Sequence, residues 1–422
     1  MSFETISVIG LGYIGLPTAA MFASRKKNVI GVDVNQHAVE TINRGEIHIV
    51  EPDLDMIVHA AVTEGYLKAN ITPEPADAFL IAVPTPFLPC GVGDIPAPDL
   101  SYIESACSAI APVLKKGDLV ILESTSPVGA TEKMAAWLAS ARPDLSFPQT
   151  HGDSADVNVA HCPERVLPGH VVRELVENDR VIGGISSRCS ERSVELYKTF
   201  VKGECIVTNA RTAEMAKLTE NSSRDVQIAF ANELSVICDK LDIDVWELIE
   251  LANRHPRVNI LQPGPGVGGH CIAVDPWFIV SRTPEDAQLI HTARQVNDNK
   301  PERVIDKIKL AIAEHLLANA YKTVKDVTIA CYGLSFKPDI DDLRESPALY
   351  ITNKINQIHE GSVLAVEPNI NITPSIDIKL VDQATALEQA DIHVVLVKHK
   401  EFMDIDFSNH AIIDLVGVTR SA

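Results

Sequence analysis

The stretch Thr5-Ile-Ser-Val-Ile-Gly10-Leu-Gly12-Tyr-Ile-Gly15 sets the organisation of the first part of the chain. Its opening residues form a continuous apolar run, which is typical of a strand buried in a parallel sheet. A helix of small residues is predicted from Leu16 to Ser24, and a second strand from Asn28 to Val32. The glycine-rich turn therefore joins a strand to a helix within a βαβ unit.

This turn indicates a binding site for a dinucleotide. Gly10 permits the tight turn, Gly12 lets a pyrophosphate approach the backbone, and Gly15 lets the helix pack closely on the strand. The helix N-terminus then faces the phosphates. Asp33 follows the second strand, where it can hold the ribose hydroxyls and would repel a 2′-phosphate. NAD is therefore favoured over NADP, and the context disfavours a glycine-rich turn without a ligand.

Composition narrows the class of protein. The chain has 422 residues, 46% of them hydrophobic, and a formal net charge of −20. Its length allows two or three cores, and its acidity argues against a general nucleic-acid binder. No apolar run is long enough to span a bilayer, and the N-terminus lacks the features of a signal peptide. The scattered cysteines suit a reducing cytosol, so a cytoplasmic protein without nucleic-acid or membrane partners is expected.

Polar residues follow several predicted strands. Thr85 and Thr125 come after two of them, and Glu164 with Arg165 comes after a third. Ligands of open α/β sheets lie beyond the carboxyl ends of the strands, so a site role is favoured for all four. The alternatives are helix caps for the threonines and a surface ion pair for Glu164 and Arg165.

One long helix is predicted over residues 212–240, which contain neither glycine nor proline. Glu214, Lys217, Asn221 and Arg224 share one face of it, because they are spaced three or four residues apart. A solvated face is the alternative. The apolar, alanine-rich surroundings favour a functional face, since a covered lysine needs a partner.

The loop Pro263-Gly-Pro-Gly-Val-Gly-Gly-His-Cys-Ile-Ala-Val-Asp-Pro276 presents Cys271 four residues before Asp275. Glycines and prolines exclude a regular helix or strand and predict a fixed loop. A thiol beside a carboxylate suggests a nucleophile with a base nearby; a tight turn with an inert cysteine is the alternative. A further helical pattern, Asp286 to Ile312, is expected to be interrupted near residues 297–301.

A second βαβ region begins near Tyr321. The loop after its first strand lacks the dinucleotide fingerprint and offers Lys337 and Arg344, for which ordinary surface charge is the alternative. The predicted fold class is α/β, with two Rossmann-like βαβ domains joined by a central helical domain that contains one long helix. The expected domains are residues 1–208 for NAD binding, 209–315 for the central helices and 316–422 for the second βαβ region.

Together these stretches resemble the UDP-glucose/GDP-mannose dehydrogenase family over nearly the whole chain. The motifs that carry the resemblance are Gly10–Gly15, Ser124-Thr125, Pro163-Glu164, Lys217 with Asn221, Gly268-Gly269-x-Cys271, and the 333–347 loop with Phe336-Lys337 and Arg344. Ala273-Val274 stands where UDP-glucose enzymes have Pro-Lys before the aspartate. Pro163-Glu164-Arg165-Val166-Leu-Pro-Gly likewise stands where those enzymes usually have Pro-Glu-Phe. These departures resemble the branch that acts on N-acetylated sugars.

The resemblance implies a four-electron oxidation of the C6 alcohol of UDP-N-acetyl-D-mannosamine to a carboxylate with two NAD⁺, for surface-polysaccharide biosynthesis, by a homodimer. Lys217 and Asn221 would stabilise the alkoxide or oxyanion. Cys271 would form a thiohemiacetal and then a thioester. Asp275, or Glu164 with Thr125, would activate the thiol or the hydrolytic water. The alternatives are the C2 epimer UDP-N-acetylglucosamine, a single-step hydroxyacid dehydrogenase and a non-catalytic NAD sensor.

The remaining site residues implied by the resemblance divide by ligand, and no metal ligand is expected. The cofactor contacts are Gly10, Gly12, Tyr13, Ile14, Gly15, Asp33, Thr85, Thr125 and Arg344. The substrate contacts are Arg165, Val166, Leu167, Lys217, Asn221, Arg224, His255, Arg257, Gly268, Phe336 and Lys337.

Overall fold

The computed structural model describes residues 3–49, 51–91, 93–167, 169–269, 271–370 and 378–420. The chain falls into two compact units, Met1–Glu220 and Asn221–Ala422, called unit 1 and unit 2 below. The division into three domains at residues 208 and 315 stays a prediction. No helix in the described ranges is both long enough and apolar enough to cross a bilayer.

Unit 1 is built on a sheet to which its described residues contribute eight strands. They are β1 (Thr5–Ile9), β2 (Asn28–Val32), β3 (Leu67–Asn70), β4 (Ala78–Ile81), β5 (Leu119–Leu122), β6 (Asn158–His161), β7 (Arg180–Gly184) and β8 (Cys205–Asn209). Their order across the sheet is β3-β2-β1-β4-β5-β6-β7-β8. Neighbours run parallel except β6 and β7, which are antiparallel. The first six strands have the order of a doubly wound dinucleotide-binding sheet.

Both faces of this sheet are covered, which explains its continuously apolar strands. In β4, Leu80 points into one apolar layer, whereas Phe79 and Ile81 point into the other. The covering helices are α1 (Gly15–Ser24), α2 (Gln36–Asn43), α3 (Leu54–Thr63), α4 (Ser101–Ile110), α5 (Ala130–Ala141), α6 (Pro148–His151), α7 (Val171–Glu177) and α8 (Ser187–Tyr197). Successive side chains of a strand alternate between faces, so a strand buried on both sides has no polar face.

The long helix α9 (Ala210–Leu241) begins in unit 1 and continues into unit 2, as the absence of glycine and proline predicted. The helices that follow in unit 2 are α10 (Val245–Asn253), α11 (Asp275–Arg282) and α12 (Gln288–Ala318). The predicted interruption near residues 297–301 is wrong, because α12 runs through Pro301. Two buried side chains of α12 just before the proline, Asn297 and Lys300, bond to α9, and these contacts offset the hydrogen bond that proline cannot make.

Unit 2 ends in a second parallel sheet, to which the described residues contribute five strands. They are β9 (Ile329–Tyr332), β10 (Val363–Val366), β11 (Lys379–Leu380), β12 (Ile392–Val395) and β13 (Ala411–Asp414), in the order β11-β10-β9-β12-β13. The helices α13 (Pro347–Ile358) and α14 (Gln383–Gln389) belong to this part. The predicted α/β class with two Rossmann-like sheets is confirmed.

Candidate active site

The turn between β1 and α1 has the close backbone packing that its glycines predict. Gly10 has a φ of +90°, and its N–H donates to the carbonyl oxygen of Val32 at 2.8 Å. A Cβ at Gly15 would lie 1.8 Å from the carbonyl oxygen of Gly10. A Cβ at Gly12 would have no described atom within 4 Å. Gly10 and Gly15 thus form the turn, and Gly12 leaves room for a ligand's phosphates.

Two polar side chains, one beyond the end of β2 and one beyond the end of β4, complete this part of the site. Asp33 accepts the N–H of Leu11 through Oδ2 and that of Asn35 through Oδ1, each at 2.8 Å. Its carboxylate is therefore fixed while lone pairs remain for a ribose. The hydroxyl oxygen of Thr85 is buried without a hydrogen-bond partner among the described residues. An orphaned hydroxyl, an open glycine and a fixed carboxylate fit NAD.

The other predicted cofactor contacts of unit 1 lie at the same edge of the sheet. Tyr13 is 40% exposed, and Ile14 is the N-cap residue of α1. Thr125 is half-buried beyond β5, next to Ser124, whose hydroxyl donates to the carbonyl oxygen of Val83 at 2.6 Å. This bond ties the β5 loop to the β4 loop, which carries Thr85.

Glu164 follows β6 and is almost completely buried. Its Oε2 lies 2.8 Å from Nη1 of Arg180, the first residue of β7, and its Oε1 accepts the N–H of Arg165 at 2.6 Å. The Arg165 guanidinium pairs instead with Glu220 at 2.7 Å. A surface pair between Glu164 and Arg165 is therefore excluded. Val166 packs against the core of unit 1, so it is as much a structural residue as a candidate contact.

A second buried acid shares the same arginine. Burial raises the pKa of Glu123 to about 7, while Arg180 and the hydroxyl of Tyr197 act in the opposite direction. The hydroxyl donates to Oε1 of Glu123 at 2.6 Å, and the guanidinium carbon of Arg180 lies 5.1 Å from the centre of the Tyr197 ring. The guanidinium of Arg180 thus interacts with two buried carboxyl groups. It balances the charge of Glu164, and Glu123 is partly protonated at neutral pH.

On α9, the Glu214 carboxylate bonds to the loop before α5 and to the first turn of that helix. It is 1% exposed and accepts the N–H groups of Gly129 at 2.6 Å and Thr131 at 2.7 Å, together with the Thr131 hydroxyl. Glu214 therefore caps the N-terminus of α5, where a negative charge is favourable. Lys217, one turn later, is half-buried and makes no ion pair within the described ranges, whereas Arg224 is exposed.

In unit 2 the thiol and its neighbouring acid are held in a defined arrangement. Cys271 is exposed, and Asp275 is a buried residue that begins α11. The N–H of Asp275 donates to the carbonyl oxygen of Cys271 at 2.9 Å. Nδ2 of Asn221 donates to Oδ2 of Asp275 at 2.5 Å. The Asp275 carboxylate is thus oriented by Asn221 about one helical turn from the thiol.

The glycines of the thiol loop are required by its contact with the segment after β9. A Cβ at Gly268 would lie 2.5 Å from the carbonyl oxygen of Glu345 and 2.8 Å from Cβ of Phe336. Gly269 has a φ of +80°, and a Cβ there would lie 2.9 Å from the Phe336 ring. Phe336, predicted as a substrate contact, is half-buried and packs against Gly268 and Gly269 of this loop.

The remaining cationic candidates of unit 2 differ in environment. Lys337 is half-buried, whereas His255, Arg257 and Arg344 are exposed. Nη2 of Arg344 lies 2.6 Å from Oδ2 of Asp342, so this arginine would have to be shared with a phosphate.

The second sheet repeats the hydrogen bonds of the dinucleotide turn but closes the ribose position. Gly333 has a φ of +89°, and the N–H of Leu334 donates to Glu367 at 2.7 Å, as that of Leu11 does to Asp33. Here, however, His399 lies against the carboxylate, with Nε2 at 3.2 Å, and both side chains are fully buried. The carboxylate of the second βαβ region thus already has a buried partner within the protein.

Metal-ligand residue types come together in the described chain at Asp339, His399 and Glu401. Nδ1 of His399 accepts the N–H of Asp339 at 2.9 Å and lies 3.0 Å from Nδ2 of Asn369, while Nε2 faces Glu367. Both ring nitrogens are therefore engaged within the protein, and this cluster does not offer a metal the lone pair of an imidazole.

Sequence reasoning missed Arg180 and a buried group of polar side chains, one of which, Asn232, bonds to Gly264 of the thiol loop. The signal for Arg180 was available, since a charged residue opens an apolar strand and needs a buried partner. The sequence contains no comparable sign of burial for the helical residues Asn232, Asn297 and Asp225, because polar residues in helices are usually exposed.

Comparison with known proteins agrees with this geometry. Residues 4–201 match the NAD binding domain of the UDP-glucose/GDP-mannose dehydrogenase family, 211–299 its central domain and 330–420 its UDP binding domain. The chain is 67% identical to UDP-N-acetyl-D-mannosamine dehydrogenase of Yersinia pestis, over 100% of both chains. It is 62% identical to NDP-N-acetyl-D-galactosaminuronic acid dehydrogenase of Ralstonia nicotianae, over 99% of this chain and 97% of the relative.

Two solved structures of nucleotide-sugar dehydrogenases are also similar to nearly the whole chain. The structure of UDP-D-ManNAc dehydrogenase from Pyrococcus horikoshii is 39% identical with a TM-score of 0.86, covering 99% of this chain and 96% of that one. That of the UDP-N-acetyl-mannosamine dehydrogenase Cap5O from Staphylococcus aureus is 42% identical with a TM-score of 0.84 and the same coverage.

Proposed function

Because the chain belongs to the UDP-glucose/GDP-mannose dehydrogenase family and is an NAD-dependent dehydrogenase, we propose that it oxidises UDP-N-acetyl-D-mannosamine at C6 to the uronate. One alcohol, one water and two NAD⁺ give one carboxylate, two NADH and three protons. Two relatives named for this activity, at 67% and 64% identity over their full lengths, support the substrate.

The observation that carries the mechanism is the arrangement of Asn221, Asp275 and Cys271 in unit 2. NAD⁺, when bound, would supply the hydride acceptor for C6 in each of two steps. An exposed thiol on a fixed loop can attack the aldehyde of the first step and retain it as a thiohemiacetal. The carboxylate of Asp275 can accept the thiol's proton, and Asn221 keeps that carboxylate in place at 2.5 Å.

Lys217 and Glu164 are proposed for the proton and water steps. Lys217 is half-buried without an ion pair in the described ranges, which leaves its ammonium group available to stabilise an alkoxide. Glu164 already forms an ion pair with Arg180 and accepts the backbone N–H of Arg165. Such a carboxylate is well placed to orient a water through its remaining lone pairs, with the Thr125 hydroxyl as a second contact. Asp275 is the better candidate for the base that acts on the thiol.

The test is the amount of NADH formed from limiting UDP-N-acetyl-D-mannosamine with excess NAD⁺. Two NADH per sugar are expected, and the Cys271→Ser variant should stop after about one, because an alkoxide is formed far less readily than a thiolate. One NADH per sugar in the wild type would indicate a simple alcohol dehydrogenase. Two from the Cys271→Ser variant would refute covalent catalysis.

A second candidate substrate has a specific observation in its favour. The relative named for N-acetyl-D-galactosaminuronic acid shares 62% identity with this chain. The same stoichiometry assay with UDP-N-acetylgalactosamine and UDP-N-acetylglucosamine distinguishes the epimers, because the mechanism is common to all three sugars.

A homodimer in the cytoplasm, acting in surface-polysaccharide biosynthesis, is also part of the proposal. Large apolar side chains are exposed on α9 and α10, among them Phe230, Ile237, Leu241 and Leu251. Such a surface suits burial against a second copy. The molar mass from light scattering would be twice 45.9 kDa for a dimer; a value of one chain at working concentration would refute it.

A further inference from the structure

The thiol loop contains an N–H group that is bonded to a buried side chain. The N–H of Gly264 donates to Oδ1 of Asn232, at 2.9 Å. Asn232 lies on α9 and is completely buried. Pro263 and Pro265 have no N–H, so Gly264 supplies the one backbone donor of this tripeptide.

A chain of buried amides fixes the direction of this hydrogen bond. Nδ2 of Asn232 donates to Oδ1 of Asn297 at 2.9 Å, and Nδ2 of Asn297 donates to Oδ1 of Asp225 at 2.8 Å. A carboxylate only accepts, so Asn297 must turn its NH₂ toward Asp225 and its oxygen toward Asn232. Asn232 must then turn its own oxygen toward Gly264. Flipping either amide would bring two oxygen atoms together.

One cation, Arg294, pairs with Asp225 at the end of this chain, and a second, Lys300, bonds to the backbone of Asn232. Nη1 of Arg294 donates to Oδ1 of Asp225 at 2.6 Å, and both side chains are at most 1% exposed. Nζ of Lys300 donates to the backbone carbonyl oxygen of Asn232 at 3.4 Å and also bonds to the hydroxyl of Ser235. The charge of Asp225 is thus compensated where it is buried, and the amides inherit a single orientation.

Two side chains of helix α9 therefore bond to the thiol loop, one near the beginning of the loop and one near its end. Asn221 holds Asp275 after the thiol, and Asn232 holds Gly264 before it. The two asparagines are about three helical turns apart and so lie on one face of α9. Between them, Gly266 packs on Pro301 and Pro347, at 3.2 and 3.0 Å from the position of a Cβ.

We propose that Asn232 is a positioning residue that sets the place of the Cys271 thiol by holding the Gly264 N–H. This inference rests on the proposed function, in which the thiol acts only after the first hydride transfer. Loss of the bond would free the loop before the thiol while Asn221 and Asp275 remain in contact. The effect should therefore fall on capture of the aldehyde and on the second oxidation. A displacement of about 1 Å can slow such a step about 100-fold.

The experiment is a single-turnover reaction with enzyme in excess over UDP-N-acetyl-D-mannosamine, excess NAD⁺ and hydroxylamine to trap released aldehyde. Asn232→Ala should form the first NADH at nearly the wild-type rate, form the second about 100-fold more slowly, and release trapped aldehyde. Gly264→Pro removes the same bond from the loop side without changing the buried amides. Its matched variant Gly264→Ala keeps the N–H, and a Cβ there has no described atom within 4 Å.

Ile355→Ala controls for lost stability, because Ile355 is fully buried in the core of the second sheet. Slowing of both NADH phases by the same factor in Asn232→Ala and Ile355→Ala would show a merely structural role and overturn the inference. Aldehyde release from Cys271→Ser but from neither Asn232→Ala nor Gly264→Pro would also overturn it, while leaving the proposed function intact. If Cys271→Ser itself yields two NADH and no aldehyde, the proposed function fails.

Discussion

Replacement of Arg180 by methionine should strongly destabilise unit 1. The change removes the cation that faces Glu164 while keeping a long, flexible side chain against the Tyr197 ring. Both members of the ion pair are less than a tenth exposed. Glu164 would be left as a buried carboxylate that still accepts the N–H of Arg165, at 2.6 Å.

The magnitude follows from the separation of Nη1 and Oε2, which is 2.8 Å. At an effective dielectric constant of about 20, two unit charges at this distance attract by about 6 kcal/mol. The free energy of desolvating both groups offsets part of that attraction. Removal of one partner is therefore expected to lower the free energy of unfolding by about 3–5 kcal/mol.

The assay must report on unit 1, since a chain of two compact units need not unfold in one step. Trp137 is the one tryptophan of unit 1, and Trp246 and Trp277 belong to unit 2. Urea unfolding is best followed by Trp137 fluorescence in a Trp246→Phe/Trp277→Phe background. Arg211→Met is the matched control, because Arg211 pairs with Glu132 at 2.7 Å in a largely exposed position and should shift the midpoint little.

The double variant Arg180→Met/Glu164→Gln should recover much of the stability, because it removes both buried charges. A loss below about 1 kcal/mol in the single variant, comparable to an exposed pair, would refute the burial argument. So would a double variant that is no more stable than the single one.

Three further outcomes are expected. Burial raises the pKa of Glu123 to about 7, so the folded state binds this proton more tightly than the unfolded state does, and the free energy of unfolding should fall as pH rises from about 4.5 to 7. Glu123→Gln should abolish this fall in urea titrations. An unchanged dependence of the unfolding free energy on pH would contradict the prediction. Burial lowers the pKa of Lys300 to about 8, so stability should rise between pH 8 and about 10.5, and Lys300→Met should lose this rise. Gly12→Ala should weaken NAD binding in calorimetry without changing the melting temperature. Gly15→Ala should lower both the NAD affinity and the melting temperature, because its Cβ would lie 1.8 Å from a backbone oxygen. Equal melting temperatures for the two variants would disprove the packing role of Gly15.

The sequence predicted the cofactor-binding residues of the site better than the contacts of its buried polar side chains. The glycine turn and Asp33 lie within one βαβ unit, where spacing alone fixes their geometry. The placement of Lys217 and Asn221 on one face of α9 follows from helical periodicity. Glu214 shared that periodicity, yet its carboxylate binds the start of α5, because a buried helix N-terminus needs an acceptor.

The sequence by itself therefore determined the α/β class, the dinucleotide turn, the long helix and the residue types of the site, since each depends on patterns within about 30 residues. Only the tertiary structure decided which groups meet. It paired Glu164 with Arg180, carried α12 through Pro301, and joined Asn232 to Gly264. These contacts arise because a buried polar group must find its partner wherever the fold brings one, and sequence separation does not encode that distance.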